Sequence, residues 1–161
     1  MELPKRKQNR LTEYDYSTPH AYFITICTNN RRNLFWMNTG AIIHDPKEVK
    51  LSKYGMIVDA SIKEISKHYP AVSVDNYAIM PNHVHLLLQI HTDCGGRSMI
   101  APTISTVVRL MKGSVSKQVG FSVWQKGFHD HVVRNETDYQ EIWKYIAGNP
   151  VKWVEHSLKE N

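Results

Sequence analysis

The chain has 161 residues, enough for one domain with a core of its own and short for two. Its 20 Lys+Arg against 15 Asp+Glu give a formal charge of +5, which favours a polyanionic partner, and no apolar stretch nears the ~20 residues that crossing a bilayer requires. The two cysteines, Cys27 and Cys94, stand far apart, which excludes a disulfide framework or zinc knuckle; with a start, MELPKRKQNR, that lacks an apolar core, a cytoplasmic protein is expected.

Residues 1–20 are polar and basic, with Lys5, Arg6, Lys7 and Arg10 ahead of RLTEYDYSTPHAYF, and read as an arm leading into a single domain over 21–161. Tyr22 to Thr28 is rich in β-branched and aromatic residues, which predicts a first strand. From Ser52, the spacing of Leu51, Tyr54, Val58, Ile62, Ile65 and Tyr69 predicts a helix that Pro70 closes. Ser73 to Met80 and the run from His83 predict two strands paired across the Pro81-Asn82 turn. Ile104, Val107, Val108, Met111 and Val115 trace a second helix, and the aromatic and valine content of Phe121 to Val133 predicts a fourth strand. Thr137 with Gln140 forms a capping box that opens a last helix, and Pro150 is expected to end it. The order β-α-β-β-α-β is the ferredoxin-like (RRM-like) α+β arrangement, an antiparallel sheet with helices packed on one face, here followed by a C-terminal helix.

The strand YAIMPNHVHLLLQI holds two histidines one residue apart. Side chains alternate along a strand, so Val84, Leu86, Leu88 and Ile90 share the core face while His83, His85, Leu87 and Gln89 share the other. The two imidazoles then stand side by side and can converge on one metal ion, although two ligands are an incomplete site. In the last helix, Tyr139, Ile142, Trp143 and Ile146 form the stripe expected to be buried, with Tyr145 and Asn149 one turn apart on its flank. Were this helix to cover the histidine face, Asn149 would offer an oxygen as third ligand and Tyr145 a nucleophilic hydroxyl. Glu141, one turn before Tyr145, is the alternative third ligand, and Asn149 before a proline is expected to leave helical geometry. His129-Asp130-His131 suggests a second metal site but reads better as a structural feature or a contact with the polyanionic partner.

Four segments in order, RLTEYDYSTPHAYFITICT, AIMPNHVHLLL, VWQKGFHDHVVRNETDY and YIAGNPVKW, carry a resemblance over most of Arg10 to Trp153. The chain resembles the HUH-type tyrosine transposases, and more narrowly the REP-associated tyrosine transposase group. That resemblance implies the ferredoxin-like fold and a divalent metal, Mg²⁺ or Mn²⁺, held by His83, His85 and Asn149. It also implies Tyr145 as the nucleophile that cleaves and rejoins single-stranded DNA through a 5′-phosphotyrosine. The implied partners are single-stranded DNA with hairpins, here repetitive extragenic palindromes, met by a monomer or homodimer at the nucleoid and no membrane. Lys5, Arg6, Lys7, Arg10, Arg31 and Arg32 are candidate phosphate contacts, and Tyr14, Tyr16 and Trp36 candidate stacking rings for unpaired bases. Two alternatives use the same fold: a non-catalytic single-stranded nucleic-acid-binding module, and a hydrolase that activates water with the same ligands.

Overall fold

Tyr22, Ile24 and Ile26, on alternate positions of Ala21–Cys27 (β1), are fully buried, as a half-apolar strand requires of its core face. They belong to a computed structural model that describes residues 20–37, 49–91 and 103–159. Lys5, Arg6, Lys7, Arg10, Tyr14, Tyr16 and Cys94 lie outside the described residues. Helix Lys53–His68 (α1) starts where Ser52 accepts a hydrogen bond from the Gly55 amide, and it buries Val58, Ile62 and Ile65. Strands Val72–Ile79 (β2) and His83–Ile90 (β3) follow, then helix Ile104–Val119 (α2), short strand His129–Val132 (β4) and helix Glu136–Lys159 (α3).

The sheet is antiparallel throughout, in the order β2-β3-β1-β4, which is the expected ferredoxin-like α+β topology. Tyr22, Ile24 and Ile26 pair with Leu88, Leu86 and Val84, and this face joins the buried stripes of α1 and α2 in one core. Register places Phe23, Thr25, Cys27, His83, His85, Leu87, His129 and His131 on the opposite face. α3 lies across that face, contacting β2 and β3. A bulge between Val74 and Asn76 turns Asp75 and Asn76 toward α3: Asp75 accepts from the Tyr139 hydroxyl at 2.7 Å, and Asn76 faces the Trp143 carbonyl at 3.4 Å.

Three expectations are corrected. Only His129–Val132 of the Phe121–Val133 run is a strand, because Lys112 Nζ takes the Gln125 and Gly127 carbonyls at 2.8 and 2.9 Å and Gly127 turns at φ 79°. Asn135, not Thr137, caps α3, its side chain accepting from the Asp138 amide at 2.9 Å, while Gln140 donates to Glu136 instead of reaching back. Pro150 does not end the helix, and Asn149 stays helical. An interior proline costs a helix ~3 kcal/mol; beyond it, Val154 is buried and the Trp153 ring meets Trp36, burial of the size, ~1.5–3 kcal/mol per large apolar side chain, that offsets the loss.

Candidate active site

β3 delivers the two imidazoles to the α3 side of the sheet, with ring centroids 4.7 Å apart. Because α3 covers them, His85 is only 5% exposed, less than the open polar face expected from alternation alone. The Tyr145 ring, 45% exposed, packs edge-on to His85 at 5.5 Å and to Phe23 at 5.9 Å. Two turns on, Trp153 lies 5.9 Å from His83. Residues 145, 149 and 153 are four apart, so helical spacing sets Asn149 on the stripe between the tyrosine over one histidine and the tryptophan beside the other.

Both imidazoles are neutral at pH 7. Burial, then the charge of Arg31, brings His83 down to about 4, and burial, then His83 itself, brings His85 to about 3. Neutral imidazole is the ligating form. His83 Nδ1 is engaged by Asn82 Oδ1 at 2.7 Å and His85 Nδ1 by Thr25 Oγ1 at 2.9 Å, while His85 Nε2 is buried with no hydrogen-bond partner. One end of the Asn149 amide is likewise buried and unpaired, and a half-turn of the amide exchanges its oxygen and nitrogen. Orphaned polar atoms on two such groups suit a divalent cation, and two nitrogens with one neutral oxygen suit Mn²⁺ better than Mg²⁺. Among the described residues no third His, Cys, Asp or Glu joins the pair, so Glu141 is not brought to it.

The remaining candidates divide. Arg31 is exposed and close enough to His83 to act on its charge; Arg32 is exposed with its guanidinium 5.4 Å from the Phe121 ring centroid. Trp36 is not a free stacking ring: it is 5% exposed and its indole donates to the Ile79 carbonyl at 2.7 Å. Trp143, expected in the buried stripe of α3, is exposed, whereas Ile142 and Ile146 are buried as expected. His131 is taken up by Asp138 at 2.8 Å, which makes the His129-Asp130-His131 segment a support for the start of α3. Sequence reasoning missed Thr25, Asn82 and Lys152, whose ammonium lies 5.7 Å from the Tyr145 ring centroid. Spacing by seven on one helix was the available signal for Lys152; Thr25 becomes visible only through strand register.

The family model described as "Transposase IS200 like" matches residues 16–149. The chain belongs to the IS200-like transposase family. This transposase is 31% identical to an uncharacterized protein of Haemophilus influenzae over 95% of this chain and 92% of that one. It is 25% identical to the REP-associated tyrosine transposase of Escherichia coli K12, covering 83% of this chain and 68% of the relative. Its fold matches the solved structure of a REP-associated tyrosine transposase bound to a REP hairpin, with TM-score 0.62 and 23% identity, over 90% of this chain and 77% of that one. Among the described residues no helix is long and apolar enough to cross a membrane.

Proposed function

We propose that this transposase cleaves and rejoins single-stranded DNA beside imperfect hairpins, repetitive extragenic palindromes, through a covalent 5′-phosphotyrosine at Tyr145. One observation carries the reading: a partly exposed phenol on α3 packs 5.5 Å, ring to ring, from a buried imidazole whose Nε2 has no partner. The DNA class is supported by the relatives, one of which bears the REP association in its name and another of which was solved on a REP hairpin.

His83, His85 and Asn149 would hold Mg²⁺ or Mn²⁺, which when bound supplies positive charge to the non-bridging oxygens of the scissile phosphate. Tyr145 Oη attacks the phosphorus, the O–P bond forming as the bond to the 3′ oxygen breaks. The phenolic proton passes to water, to which the ring is open, and the departing 3′ oxygen takes a proton from water. A 3′-hydroxyl of another strand reverses the step and displaces the phenol, so one phosphate ester replaces another and no nucleotide cofactor is consumed. Trp153 and Phe23 pack against His83 and Tyr145 and hold the rings in place. Arg31 and Arg32, with the basic arm over 1–20, bind phosphates of the flanking strand. The protein acts in the cytoplasm, at the nucleoid, as a monomer or homodimer.

The test is incubation with Mn²⁺ and hairpin DNA labelled on its 3′ side, followed by a denaturing gel. We expect a protein-DNA adduct that Tyr145→Phe abolishes while its melting temperature stays within about 2 °C, since exposed-site changes rarely exceed ~0.5 kcal/mol. Cleavage that persists in the variant would indicate a water-activating hydrolase; binding without cleavage by the unaltered chain would indicate a passive nucleic-acid module.

A further inference from the structure

We propose that Asn82 and Thr25 are positioning residues that hold His83 and His85 in the Nδ1–H tautomer, leaving both Nε2 lone pairs free for one divalent cation; this rests on the metal reading above. At His83 the assignment follows from the amide. The Asn82 nitrogen faces the Arg31 carbonyl at 3.5 Å, and a carbonyl only accepts, so the Asn82 oxygen is the end at His83 Nδ1, 2.7 Å away. That oxygen also only accepts, so Nδ1 carries the hydrogen.

At His85 the partner is a hydroxyl, which can give or take, and the far side of the ring decides. His85 Nε2 is buried without a partner. A buried N–H left unpaired is rarer and costlier than a bare acceptor, so the proton belongs on Nδ1, and Thr25 Oγ1 accepts it at 2.9 Å. Strand register fixes this contact, since Thr25 stands directly opposite His85 in the β1–β3 pairing.

The backbone around Asn82 is pinned as firmly. Its carbonyl receives the Thr28 amide at 2.9 Å and the Thr28 hydroxyl at 3.1 Å, and Thr28 is fully buried. The Arg31 carbonyl is aimed by a left-handed turn at Asn30 and Arg31, φ 55° and 53°. Such conformations are uncommon in non-glycine residues and persist where surrounding contacts over-determine them. Free imidazole in water prefers the Nε2–H tautomer, so the protein holds both rings against their intrinsic preference.

The test uses the full metal-free chain labelled with ¹⁵N at histidine, with long-range proton-nitrogen correlation at pH 7 reading each tautomer and Mn²⁺ titration reading affinity. We expect Nδ1–H at both histidines. Thr25→Val and Asn82→Ala should each return one ring to the Nε2–H form and weaken Mn²⁺ binding ~10- to 100-fold. Thr25→Ser, which keeps the acceptor, should retain tautomer and affinity, and thermal unfolding of every variant separates these effects from misfolding. Nε2–H at either histidine of the unaltered chain overturns the proposal, as does a folded Thr25→Val with tautomer and affinity unchanged. Nδ1–H at both rings in a chain that binds no Mn²⁺ upholds the tautomer assignment and overturns the metal reading instead.

Discussion

The hydrogen bond from the Tyr139 hydroxyl to Asp75 Oδ2, 2.7 Å long, fastens α3 to the β2 bulge six residues before Tyr145. Asp75 also receives the Ser73 hydroxyl at 2.7 Å, so its carboxylate is held ready to accept. Hydrogen bonds to ionised groups contribute ~1.5–3 kcal/mol when well buried; both partners here are half-exposed, which puts the coupling at about 1–1.5 kcal/mol. Tyr139→Phe should therefore lower the melting temperature by ~2–6 °C, given ~2–4 °C per kcal/mol for a domain of this size. Six residues are ~9 Å of helix, so a small change of tilt at Tyr139 carries to Tyr145. Adduct formation should slow up to ~10-fold in kcat, with little change in KM for DNA, because the strand-binding groups are untouched. A double-mutant cycle with Asp75→Ala, read by chemical unfolding and by adduct rate, isolates the pair. Coupling below ~0.5 kcal/mol together with an unchanged adduct rate would refute the idea that this bond sets the position of Tyr145.

Two further outcomes concern the scaffold. A Cβ at Gly55 would stand 2.2 Å from the Phe35 carbonyl oxygen, which also accepts the Ser52 amide; Gly55→Ala should cost ~3 kcal/mol despite alanine's better helix propensity, and an unchanged or raised urea midpoint would contradict this. Burial, then the hydrogen bond to Asp59 at 2.6 Å, pushes the Tyr77 phenol up to about 12 from the unfolded ~10. A raised folded pKa favours the protonated form, so this contribution is intact below pH ~10 and lost as pH rises toward 12. Stability measured between pH 9 and 11.5 should fall less steeply in Tyr77→Phe, and identical slopes would count against the assignment.

The elements legible in the sequence are those whose apolar period and boundaries agree. α2 buries all five residues of its predicted stripe and α1 buries Val58, Ile62 and Ile65 of its own, with Leu51, Tyr54 and Tyr69 partly buried around them, and Ser52 begins α1 because a cap is a local signal. Apart from the cap of α3, where two local candidates competed and Asn135 took the role expected of Thr137, what failed depended on partners distant in sequence. The turn before β4 is shaped by Lys112, 13 and 15 positions away from the carbonyls it holds, and no local propensity carries that. The histidine pair and the tyrosine were visible as residue types, but their meeting was not: it required α3 to lie on the face opposite α1 and α2. Tertiary contact also explains Trp36, an aromatic in a basic stretch that looked available and is instead bonded to Ile79 in the core.

Pro150 shows why the end of the chain was the hardest part to read. Read locally, a proline stops a helix, and Asn149 before it should turn away. Positions 142, 146, 150 and 154 are four apart, however, and Ile142, Ile146 and Val154 are all buried, so the proline falls within the stripe that α3 turns to the sheet. Continuing past it keeps Trp153 beside His83 while Tyr145 stays over His85, and Asn149 is held between them by the same continuity. A helix that obeyed the local rule would have surrendered Trp153 and Val154 and left one end of the candidate site open. The rule gives way here because the apolar surface beyond Pro150 is worth about as much as the hydrogen bond the proline removes.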